Sequence, residues 1–291
     1  MKNSEKAVSN SRFHQNIRVF FSRGFMSKIC FGIIIVFVVL AVLAPVLAPY
    51  PPTEQSLTEA LQKPSAVHWF GTDNLGRDLL SRILYGARIS LISSLLSSLI
   101  AAAIGTFLGL VAGYFGGLLS QVIMRVIDAQ LSIPPLVLTI VLAMVFGGGI
   151  TGVSVVIGLS MFPSYARVSY AQVLALKEND YVIAAQLVGQ SERKIMFTHL
   201  LPNCFPSLIV LFTMNLGTAI MLEASMSYLG VGITPPTPAW GSMVSEGYKY
   251  LVSNPAIAIL PGICVLLVVI SFNIVGDSLR DALDPRLRGK L

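Results

Sequence analysis

The sequence predicts an all-α integral membrane protein with about six transmembrane helices, and three observations carry that prediction. The 291 residues are 54% apolar and only 12% charged, against roughly 45–50% and about 25% in soluble domains. The charges are clustered, with no Asp, Glu, Lys or Arg within 29–53, 89–124, 129–166, 195–222 or 250–276. A helix needs about 20 apolar residues to cross the hydrocarbon core, so several of these runs suffice for a crossing. Glycine clusters then divide the two longest runs.

The elements follow in chain order. Residues 1–28 are polar and basic, and Arg12 to Lys28 intersperses Phe13, Ile17, Phe20, Phe21 and Phe25 with cations. That is the pattern of a helix lying on the inner membrane surface. The first crossing is expected near 29–48. It is too long, and follows too long a basic segment, for a cleaved signal, and it lacks a small-x-small cleavage site. With the external segment opened by Pro49, Pro51 and Pro52 it makes up residues 29–88. The second crossing, near 89–113, ends at Gly113 before Gly116 and Gly117. Gly147, Gly148 and Gly149, followed by Thr151 and Gly152, read as a tight turn, which places crossings near 127–146 and 153–174. Crossings five and six are expected near 205–230 and 255–276. Polar insertions near 175–203 and 231–254 interrupt the bundle, and residues 277–291 form a tail.

Orientation follows from Lys and Arg, which favour the cytosolic side. With the N-terminus inside, 15 of the 20 basic residues are cytosolic, and Lys63, Arg77, Arg82, Arg88 and Lys249 lie outside. An even number of crossings returns the C-terminus to the inside. The net charge of +6 is therefore read as topology and membrane-surface preference, and nucleic acid is not expected as a partner. Cys30, Cys204 and Cys264 lie in or beside predicted helices and read as small buried hydrophobes. Their spacing suits neither disulfide nor metal.

The insertion near 175–203 is the most informative segment. Asn179 or Asp180 is placed to cap a short helix, and Gly189 suits the left-handed position that ends one. Ser191 is placed to cap a second short helix, and Pro202 to help begin the next crossing. Ala184 and Ala185 give the first helix a small-residue face on which another surface can approach closely.

At these residues the chain resembles the permeases of binding-protein-dependent importers. Their EAA loop reads Glu-Ala-Ala, three residues, Gly, nine residues, Ile, one residue, Leu-Pro. Ala184, Ala185, Gly189, Leu201 and Pro202 fall at the matching spacing, while Ile183 replaces the Glu and His199 replaces the Ile. In that family the loop is a coupling helix that docks on an ATPase subunit. The resemblance thus implies an ATPase-docking set of Asp180, Ile183, Ala184, Ala185, Gly189, Leu201 and Pro202. Three further segments resemble the peptide and nickel branch. They are Gly71 to Asp78 running on through Tyr85-Gly86-Ala87-Arg88, then Leu229-Gly230-Val231-Gly232 with Pro235 to Gly241, then Phe272-Asn273, Gly276-Asp277 and Leu279 to Arg286. The likeness spans roughly residues 15–288. It is closest to the second permease of dipeptide and oligopeptide systems, in a branch that also serves nickel, metallophores and glutathione. Residues 89–276 are then the permease transmembrane domain.

Several residues carry two readings each. Gly71–Asp78 is a turn and helix start capped by Thr72 or Asp73, with a purely structural re-entry into the membrane as its plain reading beside the resemblance. Pro236 and Trp240 lie in a stiff external loop that either anchors at the interface or forms a rim touched by the binding protein. Glu223 lies well inside the fifth crossing, where an acid is costly and a functional candidate by default. It faces a translocation path, pairs with a neighbouring subunit, or makes an interhelix hydrogen bond. Asp128 is expected to pair with Arg125 at i,i+3, and Arg167 to snorkel toward the cytosolic surface.

Enzyme signatures are missing. There is no G-x-x-x-x-G-K-[ST] phosphate loop and no H-E-x-x-H, and His14, His68 and His199 are far apart. Gly158-Leu159-Ser160 lacks the context of an intramembrane serine protease, because Met161 follows and no His lies in a later crossing. The expectation is a non-catalytic subunit that binds no metal or cofactor itself. The resemblance implies a homologous permease partner, two ATPase subunits holding ATP and Mg, an external binding protein and surrounding membrane lipid. A secondary transporter or channel is the competing class, and co-purification of ATPase subunits would separate the two.

Overall fold

The computed structural model describes residues 25–283. The basic amphipathic segment up to residue 24 and the tail from residue 284 lie outside the described residues. The elements are α1 (Phe25–Leu47), a 3-10 turn (Leu57–Glu59), α2 (Leu79–Phe115), α3 (Gly117–Leu131), α4 (Pro135–Phe146), α5 (Gly149–Leu176), α6 (Asp180–Leu187), α7 (Glu192–Tyr228), α8 (Trp240–Tyr248) and α9 (Ala256–Leu283). Among the described residues the only β pairing is an isolated bridge between Thr72 and Asp78. The fold is all-α, as expected.

Helices α1, α2, α5, α7 and α9 are each long and apolar enough to cross a membrane. The crossing expected near 127–146 is not one rod. Helices α3 and α4 meet at a bend of 100°, at Ser132 to Pro134. Proline disfavours the helical region for the residue before it. Pro134 is extended (φ −55°, ψ 130°), and Pro135 opens α4, where its missing N–H costs nothing. The bent pair still joins the two faces of the bundle. At one end the Lys177 ammonium reaches the Gly113 carbonyl at 3.5 Å. At the other, Gly149 N–H donates to the Gly232 carbonyl at 3.2 Å. The chain therefore passes between the two faces six times, and the 48–78 and 229–255 segments share one face.

The turn expected at Gly147–Gly149 is present, with φ of +77° at Gly147 and +80° at Gly149. Two helix starts differ from expectation. α2 begins at Leu79, ten residues before 89, because the charged residues of its first turns are buried among partners rather than solvated. α7 begins at Glu192 and runs through Ile195–Leu200 as a π-helical stretch, and Pro202 stands at the opening of its α-helical portion, Leu201–Tyr228, as expected.

The most extensive helix pair is α2 with α5. Gly105, Gly109 and Gly113 lie against the Phe162 to Val173 stretch of α5, and Gly158 lies against Ile100. Close approach at small residues is the usual means of helix association where water supplies no hydrophobic drive.

Candidate functional site

Helix α6 and the start of α7 form a short hairpin on the face opposite the 48–78 segment. Asn179 occupies the N-cap in extended conformation, but its side chain makes no capping bond. Its carbonyl instead accepts from Val182 N–H (2.9 Å) and Ile183 N–H (3.1 Å). Ser191, at the start of α7, likewise caps by position only. The helix ends in a Schellman motif: Gly189 N–H donates to the Gln186 carbonyl (2.9 Å) and Gln190 N–H to the Ala185 carbonyl (3.1 Å). Gly189 has φ +75°, the left-handed value its position predicts. The hairpin is clasped by His199, whose Nε2 lies 3.0 Å from Gln190 Oε1.

The hairpin has an inner and an outer face. Val182 and Ala185, one turn apart, close against Ile195, Met196 and Leu200 in the main core. Ala185 is only 6% exposed, so the small-residue face expected of Ala184 and Ala185 together is divided, and only Ala184 faces out. The outer face carries Tyr181, Ile183, Ala184, Leu187 and Val188. Leu187 is 83% and Val188 82% exposed, an apolar ridge at i, i+3, i+4 spacing. Asp180 and Pro202 are exposed, and Leu201 is half-buried against the core.

On the opposite face a buried charge cage fastens α8 to the start of α2. Asp73 Oδ2 lies 2.6 Å from Arg77 Nε and 3.3 Å from Arg82 Nε. Glu246 on α8 accepts from Arg77 Nη2 (3.1 Å) and Arg82 Nη2 (2.9 Å). Two acids and two cations balance, which is how buried charges are tolerated. The cap of α2 is Asp78, in place of the expected Thr72 or Asp73. Its Oδ2 accepts from Ser81 N–H (2.8 Å), and its Oδ1 lies 2.9 Å from His68 Nδ1. Asp73 accepts instead from Leu75 and Arg77 N–H inside the preceding turn.

Comparison with known proteins places this architecture. The family model described as binding-protein-dependent transport system inner membrane component matches residues 105–289. The model for the N-terminal TM domain of oligopeptide transport permease C matches residues 15–64. The chain belongs to the binding-protein-dependent transport permeases. It is 40% identical over 270 residues to the glutathione transport system permease protein GsiD of Salmonella paratyphi A, covering 92% of this chain and 89% of that one. The GsiD protein of Escherichia coli O1:K1 matches over the same extent at the same identity. Inward-facing structures of the MetNI methionine ABC transporter share the fold. At 18% identity they give TM-scores of 0.57 and 0.58, covering 71% of this chain and 98% of that one. The protein is thus a transmembrane permease of an ATP-binding-cassette importer.

The remaining predicted residues of this permease fall as follows. Glu223 is wholly buried between α2 and α7. Ser90 Oγ donates to its Oε2 (3.0 Å) and Ser227 Oγ to its Oε1 (2.8 Å), and Ser227 Oγ accepts from Ile233 N–H (2.9 Å). Within the chain it is an interhelix hydrogen-bonding residue that also ties the loop after α7 to the bundle. Pro236 is exposed on the face of the 48–78 segment. Trp240 is not on a rim, because it is 0% exposed. As the first residue of α8 it inserts its ring against Gly86, donates Nε1–H to the Ile83 carbonyl (3.1 Å) and meets Phe37 edge-on at 5.5 Å. Asp128 pairs with Arg167 of α5 rather than with Arg125, which holds α3 against α5. Glu246, His68, the His199–Gln190 clasp and the Leu187–Val188 ridge were not singled out from sequence. Only the ridge had a local signal, in its apolar spacing around Ala184.

Proposed function

We propose that this permease imports a short peptide or peptide-like solute of the glutathione class, driven by two ATPase subunits that hold ATP and Mg. The observation carrying the coupling step is the apolar ridge of α6 on a rigid, glycine-ended hairpin. An exposed ridge of Leu187 and Val188 is stable once a groove on a partner covers it. α7 is one continuous helix from that hairpin to the Glu223–Ser227–Ile233 contact. A push on α6 is therefore delivered to the opposite face, where a binding protein would hand over the solute near Pro236. A homologous permease would supply the other half of the path, and alternating access would follow from tilting of the crossings. The 40% identity to glutathione permeases supports the solute class, and the match at residues 15–64 supports the peptide branch.

The test is uptake by the complete importer, reconstituted in proteoliposomes with ATP inside and its binding protein outside. Labelled glutathione, an alanyl dipeptide and a nickel chelate are compared. ATP-dependent accumulation of glutathione or the dipeptide is expected. Accumulation of nickel alone would reject the peptide-class solute while leaving the permease assignment standing.

A further inference from the structure

Arg88 stands at the outer end of the second crossing, on α2. It lies nine residues beyond Leu79, about 14 Å along α2. It is exposed, and among the described residues it has no hydrogen bond and no ion pair. Arg82, nearly two turns nearer the helix start, and Arg77, just before it, are both fully paired in the cage. A guanidinium at the outer end of a crossing is placed to meet a lipid phosphate, because long basic side chains near helix ends reach the headgroup level.

Beside Arg88 runs a groove of about 550 Å³ between α1, α2 and the floor formed by α7 and α9. Ile34, Val38 and Val42 line one wall, Leu91 and Leu95 the other, and Phe272 closes the floor. Besides Arg88 only Ser94 is polar, and its hydroxyl is already donated to the Leu91 carbonyl. Among the described residues no acidic side chain lines the groove. Its flanks, Val36 and Val39 on α1 and Ile92 and Leu96 on α2, are exposed and apolar, so the groove opens to the side of the bundle. A solute path would present hydrogen-bonding groups along its length, whereas this wall offers one cation at one place and hydrocarbon elsewhere.

We propose that this groove is a phospholipid site, with the lipid phosphate on the Arg88 guanidinium and one acyl chain lying between α1 and α2. Arg suits the planar, forked recognition of a phosphate better than Lys, and its stem can rise toward the headgroup level while the acyl chain fills the groove. The lipid fastens α1, the most peripheral span, to the core bundle. This inference is independent of which solute the importer carries.

The experiment uses the intact importer complex purified in mild detergent and examined by native mass spectrometry. The probes are dioleoylphosphatidylglycerol, dioleoylglycerol, which lacks the phosphate, and inorganic phosphate. The parent complex should retain phosphatidylglycerol at this site, with Arg88→Gln weakening retention at least tenfold. Dioleoylglycerol should bind weakly and equally to both. Val38→Trp, which fills the groove and leaves Arg88 in place, should expel the phospholipid at unchanged complex yield, and it decides the matter if Arg88→Gln fails to assemble. A photoreactive residue at Val42 should give an adduct of lipid mass. Equal retention of phosphatidylglycerol by parent and variants overturns the proposal. So does full displacement by inorganic phosphate, or an adduct at Val42 with another protein chain, which would make the groove a subunit contact.

Discussion

At the scale of single residues, the hairpin separates conformational from packing effects. No atom lies within 4 Å of where a Gly189 Cβ would stand, so a side chain there meets only the backbone cost of a left-handed φ. That cost is roughly 1–2 kcal/mol, and larger when the residue is β-branched. Gly189→Val should leave membrane abundance at the parental level and lose ATPase in pull-down, with Gly189→Ala intermediate. Ala185→Trp should behave differently. Its ring would have to enter the packed space beside Val182 and Ile195, and overpacking typically costs about 1–3 kcal/mol. Its abundance should fall before docking can be measured. Leu187→Glu, on the outer ridge, should keep abundance and lose the ATPase. If Leu187→Glu retains the ATPase and transports normally, the ridge is not the docking surface. At Glu223 the carboxylate accepts from two hydroxyls. Glu223→Gln can keep the Ser227 bond and reverse the one to Ser90, so uptake and thermal stability in detergent should stay near parental. Glu223→Leu strands both serines, and a buried unsatisfied group costs about 1–3 kcal/mol. A measurable fall in melting temperature is expected for Glu223→Leu alone.

At the scale of elements, α8 is held by charge at one end and by an aromatic ring at the other. Removing Glu246 leaves two buried guanidiniums sharing Asp73, and breaking a buried ion pair costs about 3–5 kcal/mol. Because Glu246 is partly exposed, the lower part of that range applies. Glu246→Ala should release α8 and admit thiol reagents to a cysteine placed at buried Met243, which the parent should protect. Unchanged labelling would show that Trp240 alone suffices to seat the helix. The elements legible in the sequence were those with local causes. The Gly147–Gly149 turn and the Gly189 end of α6 each follow from glycines at positive φ, and the runs free of charge located the spans. The rest depended on distant partners. Arg77 and Arg82 read as solvated charges ahead of a crossing because Glu246 lies more than 160 residues away in the chain. That placed the start of α2 ten residues late. Trp240 read as an interfacial anchor or a rim residue because nothing nearby in sequence reveals the space left by Gly86. The bend between α3 and α4 did have a local signal, Pro134–Pro135, outweighed by the length of the apolar run around it.

At the scale of the whole molecule, six passages between two faces bring both ends of the described chain together. Cys30 near the start of α1 packs with Val275 and Ala282 near the end of α9, on the face that also carries the α6 hairpin. We propose from the bias of basic residues that this face is cytosolic. On the other face Arg77 and Arg82 are held by Asp73 and Glu246. Single cysteines in a cysteine-free background test the orientation in intact cells with a membrane-impermeant maleimide. Val252→Cys, at a fully exposed site beside α8, should label without permeabilisation. Val188→Cys, equally open on the hairpin, should label only after the membrane is breached, and tags on both termini should behave like Val188. If Val188→Cys labels from outside, the orientation is inverted and α6 cannot be where cytosolic ATPases dock. If the two tags report opposite sides, the bent α3–α4 pair does not cross, and five spans rather than six pass through the membrane.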